Sequence, residues 1–187
     1  FRTLLEELGV WRPDIFAAPH RPLDYLELLA GARRALVIHG NYLAHDEISF
    51  LAARADRLSL VYCPRTHEYF MHEPYPLAAL LRAGVSLAVG TDSRASNPDL
   101  SVLSELRAIR RLHLQLDPNT ILELGTLAGA RAQGLAADHG SLTPGKLANL
   151  AIVPLPKAHA RDPVASVLAD SQRVAAAISC GRLVAAN

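Results

Sequence analysis

The stretch LAVGTDSRASNPDL, residues 87–100, decides how the chain folds. It opens as an apolar run and breaks at Gly90-Thr91-Asp92 into a polar knot. VSLAVGTD (85–92) reads as a buried strand, and Ser96-Asn97-Pro98-Asp99 reads as the start of a helix. Two caps stay open there: Ser96 with Asp99 as a capping box, or Asn97 with Pro98 at the first helical position. Leu103, Leu106, Ile109 and Leu112 then mark one face of a helix over 100–114.

The same grammar occurs twice upstream. ALVIHGN (35–41) is an apolar run ending in His39, Gly40 and Asn41. The helix after it has Ile48, Leu51 and Ala52 on its apolar side, with Asp46 and Glu47 in the first turn, where the helix dipole favours acids. SLVYCP (59–64) is a second such run, and LAALLRAG (77–84) a helix stopped at Gly84. Before them, Leu4, Leu5 and Leu8, then Leu23, Leu26, Leu29 and Ala30, sit at helical spacing, with Pro19 and Pro22 as punctuation. Three apolar strands, each followed by a helix, predict an α/β fold with a parallel sheet covered on both faces. His39, then Arg65 to His67, then Thr91-Asp92 all fall just past strand ends, the edge that carries chemistry in parallel α/β folds.

Downstream the pattern changes. DPNTILELGTLAGARAQGL reads as two short helices, with Asp117 as cap and Pro118 at the first position. GSLTPGKLANLAIVPL is a turn-rich segment feeding a strand, and Gly181-Arg182 between two strand-like runs predicts a hairpin. The predicted division is residues 1–138 and a small β unit over 139–187.

The 187 residues suffice for one domain with a core. Half are apolar, yet no run approaches the length of a membrane span. A formal net charge of +1 gives no electrostatic support for a nucleic-acid or membrane partner. Cys63 and Cys180 form no CxxC pair and fit free, buried thiols in a reducing, cytoplasmic compartment. There is no signal-peptide pattern, and the helical pattern running from Phe1 predicts that an upstream part is missing.

Among candidate site residues, Asp92 comes first. A carboxylate at a buried strand end must be paired, hydrogen-bonded or bound to metal; the competing reading is an Asx turn. His39 precedes Gly40, which permits close approach of a ligand, although a lone histidine is also a common structural residue. His67 and His72 in CPRTHEYFMHEP stand as HExxxH; residues five apart do not share a helical face, so a zinc-protease motif is excluded. That segment reads as a loop, either holding Arg65 and His67 over a substrate or merely solvated, with Tyr69 and Phe70 packed beneath. GSLTPGK mimics a phosphate loop but has Leu147 where Ser or Thr is required, and reads as a turn. His20, His45, His113, His139 and His159 show no ligand spacing and read as surface or local structural residues.

Taken in order, VIHGNYL, SLVYCPRTH, LAVGTDSRASNPDLSVLSELR, GARAQGL and GSLTPGKLANLAIV resemble the metal-dependent amidohydrolase superfamily. The resemblance is closest to its chlorohydrolases and cyclic-nucleobase deaminases, and covers nearly the whole chain. It implies that this chain supplies the C-terminal part of a (β/α)8 TIM barrel, strands six to eight with their helices, followed by a small β-sandwich segment. It implies one divalent metal ion, Zn²⁺, with Asp92 as ligand and general base and His39 hydrogen-bonding the charge that develops. The resemblance places the HxH pair, the fifth-strand histidine and the catalytic glutamate of such enzymes upstream of this chain. Arg65 and His67 would contact substrate, and Ser93 and Asn97 would orient Asp92. The implied substrate is a small aminated heterocycle or nucleoside; dehalogenation or cyclic-amide hydrolysis would use the same rim. A homo-oligomer is compatible with the resemblance. Two departures from the family pattern are Asn149 in place of Asp and Thr66-His67 in place of Ser-Asn. A non-catalytic barrel scaffold and a free-standing binding module are the alternatives; an upstream HxH would separate the enzyme from the scaffold, and solubility of the expressed chain would separate the module, whose open sheet edge would favour aggregation.

Overall fold

The computed structural model describes residues 2–13, 21–155, 161–169 and 172–186. Pro19, His20 and His159 lie outside the described residues. Helices α1 (Arg2–Glu7) and α2 (Pro22–Leu29) lead into β1 (Ala35–Ile38), α3 (His45–Ala52) and β2 (Leu58–Tyr62). Then follow α4 (Pro64–Tyr69), α5 (Leu77–Arg82), β3 (Leu87–Val89) and α6 (Val102–Leu112). The chain continues through α7 (Pro118–Leu124), α8 (Leu127–Gln133), β4 (Leu150–Ile152), α9 (Pro163–Ala169), β5 (Ala176–Ser179) and β6 (Arg182–Ala186). No helix among them is long and apolar enough to cross a membrane.

The strands form two sheets. β1, β2 and β3 lie side by side in chain order and all parallel, with Val37 opposite Leu60 and Leu60 opposite Leu87. β4, β5 and β6 form an antiparallel sheet. The fold is mixed α/β. Central strand β2 is buried on both faces, which is why it reads as a continuous apolar run. Leu58, Leu60 and Tyr62 meet Leu51, Leu80, Leu106, Ile109, Ile121 and Leu124 in one core. β1 is an edge strand; its Leu36 and Ile38 are 40% and 51% exposed. α9 adds Leu168 to the core, and Arg107 of α6 donates from Nε to the Val167 carbonyl at 2.9 Å.

Four local expectations need correction. The helix expected from residue 100 begins at Val102, and its cap is Ser101, whose hydroxyl accepts from the Ser104 N–H; neither Ser96 nor Asn97 is the cap. The segment expected as a loop after Cys63 is the short helix α4, begun by Pro64, and Tyr69 and Phe70 lie exposed rather than beneath it. Helix α9 was not anticipated, because PVASVLA is short and carries only one buried side chain. Cys180 is exposed, not buried; the hairpin turns at Cys180-Gly181, both at positive φ, one residue before the expected position. Asp117 does cap α7, accepting from the Asn119 and Thr120 N–H groups.

Candidate functional site

Parallel β1 and β3 flank β2, so the segments leaving their C-terminal ends share one edge of the sheet. His39 follows β1 directly. Its N–H donates to the Val61 carbonyl at 2.9 Å, and its own carbonyl accepts from the Tyr75 hydroxyl at 2.7 Å. Between these clamps the backbone turns to φ +64°, and the Gly40 N–H closes back on the Ile38 carbonyl. Gly40 itself sits at φ +57°, where an added Cβ would lie 2.3 Å from Leu60 Cδ1. Glycine is required there on both counts.

Asp92 stands three residues beyond β3, also at positive φ (+57°), a conformation Asp tolerates better than most residues. His39 Nε2 and Asp92 Oδ2 are 3.5 Å apart, and each side chain is about one-third exposed, 36% and 31%. Asp92 Oδ1 accepts from the Ser93 N–H at 2.8 Å, and Oδ2 accepts from the Ser96 hydroxyl at 3.3 Å. A carboxylate offers about four lone-pair positions, so room remains for a further partner. The Asx-type contact and the histidine contact therefore coexist.

Behind the pair lies a polar network. The Ser96 and Thr66 hydroxyls are 3.0 Å apart, linking the rim of β3 to α4. Asn97 donates from Nδ2 to the Thr91 carbonyl at 2.7 Å and to Glu105 Oε1 at 2.6 Å. Glu105, fully buried on α6, also accepts from the Arg65 N–H at 3.0 Å. Burial pushes the Glu105 carboxyl above the usual carboxylate range, against the pull of the Arg65 N–H and Asn97. The buried Cys63 thiol is pushed up to about 12, first by desolvation and then by the Asp92 charge, so it is no nucleophile.

Of the residues expected here, the structure brings His39 and Asp92 together. Ser93 reaches Asp92 through its backbone, and Asn97 holds the preceding carbonyl rather than the carboxylate. Arg65 and His67 both have internal partners. The Arg65 guanidinium meets Asp99 at 2.7 Å and Glu105 at 3.5 Å, and holds Asp99 below the usual carboxylate range. Buried His67 donates from Nε2 to the Glu73 carbonyl at 2.7 Å, and its Nδ1 lies 3.2 Å from the Asn41 side-chain amide. Ser96 was read only as a candidate helix cap, and Glu105 went unremarked in the sequence. Glu105 had a signal: it shares the helical face of Ala108 and Ile109, a carboxylate in an apolar stripe.

Among the described residues there is no group of three or more His, Cys, Asp or Glu side chains able to hold an ion. The open Asp92 carboxylate suits one ligand position beside His39, short of the three protein ligands of a catalytic zinc site.

The sequence model of the amidohydrolase family matches residues 14–184. A 5-methylthioadenosine/S-adenosylhomocysteine deaminase of Thermococcus onnurineus is 34% identical, covering 73% of this chain and 32% of the relative. One of the same description from Syntrophobacter fumaroxidans is 31% identical, covering 96% of this chain and 39% of the relative. The crystal structure of an adenosine deaminase from Xanthomonas campestris with bound zinc superposes with a TM-score of 0.75 at 30% identity, covering 97% of this chain and 47% of that one. Helicobacter pylori aminofutalosine deaminase gives a TM-score of 0.75 at 24% identity, covering 87% of this chain and 41% of that one, a likeness of fold alone. The chain spans about a third of the length of these two curated relatives.

Proposed function

The chain belongs to the amidohydrolase family, and on that footing we propose that it is the C-terminal part of a metal-dependent deaminase releasing ammonia from an aminated heterocycle or nucleoside. In this reading β1, β2 and β3 are the sixth to eighth strands of a (β/α)8 barrel, and residues 139–187 contribute to a small β-sandwich. The observation that carries the proposal is the 3.5 Å approach of His39 Nε2 to Asp92 Oδ2 at the C-terminal edge of a parallel sheet. Deaminase descriptions among the relatives favour loss of an amine over dehalogenation.

Asp92 would hold a divalent ion, Zn²⁺ in this reading, with the remaining ligands coming from outside these 187 residues. When bound, the ion supplies a water acidified toward neutral pH. Asp92 would take the proton of the attacking water, and His39 would hydrogen-bond the attacking hydroxide or the developing charge. The clamps on the His39 backbone fix the imbalance of freedom between ring and chain, so the ring turns about its own side-chain bonds only. A cytoplasmic setting is part of the proposal, supported by two free cysteines.

The test is a chimera that joins the N-terminal two-thirds of the Thermococcus onnurineus relative to this chain. With zinc, it is expected to release ammonia from 5′-methylthioadenosine or S-adenosylhomocysteine, and its Asp92→Ala form is not. Turnover by the Asp92→Ala chimera would remove that carboxylate from the chemistry. Turnover by the 187-residue chain alone would defeat the partial-barrel reading.

A further inference from the structure

Glu105 has 0% exposure in the first turn of α6, next to core residue Leu106 and one turn before Ile109. Burying a carboxylate is unfavourable unless its oxygens are fully used, and an apolar side chain would fit the same helical face. The partners show what the carboxylate is used for. A simple ion pair with Arg65 does not account for it: the guanidinium is 3.5 Å away and lies closer to Asp99, at 2.7 Å. The short contacts go to the rim, to Asn97 Nδ2 at 2.6 Å and to the Arg65 N–H at 3.0 Å. Asn97 carries the connection onward, donating from the same amide nitrogen to the Thr91 carbonyl at 2.7 Å. That carbonyl immediately precedes Asp92, whose backbone is held at φ +57°. The Arg65 N–H contact fixes the start of α4, and Thr66, the next residue, meets the Ser96 hydroxyl that donates to Asp92 Oδ2.

Two routes thus run from one buried carboxylate on a rigid helix to the same exposed one. We propose that Glu105, acting through Asn97, is the positioning residue that fixes the Thr91-Asp92 corner and aims the Asp92 carboxylate beside His39. The inference deepens the deaminase reading, and its significance for catalysis rests on that reading; the mechanical claim stands on the hydrogen bonds alone. Left-handed backbone at a non-glycine residue persists where the surroundings over-determine it, and Glu105 is the deepest of those constraints.

The test is amide hydrogen exchange in the full 187-residue chain without metal. The variants are Glu105→Gln, Asn97→Ala, their double, and Glu68→Gln as a control carboxylate in the exposed pair with Arg111. Glu105→Gln keeps the shape but sets an amide donor against donors. It is expected to speed exchange at Ser93, Ala95 and Ser96 at least tenfold, while amides of β2 change less than threefold. The double variant is expected to fall well short of the sum of the singles, because the two residues share the route through the Thr91 carbonyl. Rim exchange that is unchanged, or that rises only in step with β2, would overturn the proposal, as would an additive double variant. Should Glu105→Gln fold poorly, Glu105→Asp keeps the charge but draws the oxygens back by a bond length, and the same local pattern is expected at smaller size. Zinc titration of Asp92→Asn separates the two claims: an unchanged affinity defeats the metal reading, while the exchange result still decides the role of Glu105.

Discussion

At the ends of β1 and β3 the chain bends at positive φ and leaves a polar side chain partly open, His39 and Asp92. At the end of β2, between them, it starts a helix and folds its polar side chains inward: Arg65 against Asp99 and Glu105, His67 against Glu73 and Asn41. All four residues sit on one rim and looked alike as candidates. The difference teaches that position on a sheet edge nominates a residue, and unfilled bonding capacity decides between nominees. Half-buried Arg65 and buried His67 each already meet two partners, while one-third exposure with spare lone pairs leaves Asp92 able to take a ligand.

The comparison can be broken from either side. The largest effect is expected at Asp92: in the zinc-loaded chimera, Asp92→Asn lowers kcat by about 10²–10⁴-fold, the range for removing a general base. Steady-state kinetics check this, and a kcat within threefold would erase the contrast. Arg65→Ala is expected to act on stability instead. It removes the guanidinium from Asp99 while the backbone N–H bond to Glu105 stays, and lowers unfolding free energy by about 1 kcal/mol, the upper scale of a partly exposed ion pair. Urea unfolding measures that loss, and a large rise in KM with unchanged stability would return Arg65 to the substrate. His67→Leu removes the bond to the Glu73 carbonyl and is expected to be destabilising by about 1 kcal/mol, with KM unmoved.

The smallest effect is a pH dependence from His113. Its Nε2 is buried with no hydrogen-bond partner, and burial, aided by nearby His67, holds the imidazole below its ordinary value near 6.5. The unfolded chain then binds the proton first, so the contribution to stability is intact above pH 6.5 and declines as the pH falls from there toward the depressed folded-state value. Glu105, raised by burial, acts in the opposite direction above pH 4.5. Thermal melts between pH 7.5 and pH 5.5 are expected to show the wild type losing stability relative to His113→Phe as the pH falls. Parallel curves would show that His113 carries no such linkage.

The three strands and most of the helices were legible because local pattern and tertiary setting agree there. β2 is apolar throughout and buried on both faces, and Asp117-Pro118 is a cap that needs no distant partner. The start of α6 was not legible, since Ser96 and Asn97 have the right chemistry for a cap but are claimed by Asp92, Thr66, Thr91 and Glu105. Only the fold decides which acceptor such a side chain meets. α4 was hidden by its prolines, read as breaks although Pro64 is the first residue of the helix. For the candidate site, strand-end position nominated His39 and Asp92, which the fold brings within 3.5 Å of each other. Glu105 needed the observation that a charged residue lies among buried neighbours, and the inward turn of Arg65 and His67 depends on Asp99, Glu105, Glu73 and Asn41, none of them predictable by spacing.

The most direct measurement is calorimetric titration of Zn²⁺ into the 187-residue chain and its Asp92→Asn and His39→Ala forms. The account predicts weak binding at one site in the parent chain, loss of that binding in Asp92→Asn, and its retention in His39→Ala, which changes a hydrogen-bonding neighbour rather than a ligand. Binding that survives Asp92→Asn would contradict the assignment of Asp92 to the metal.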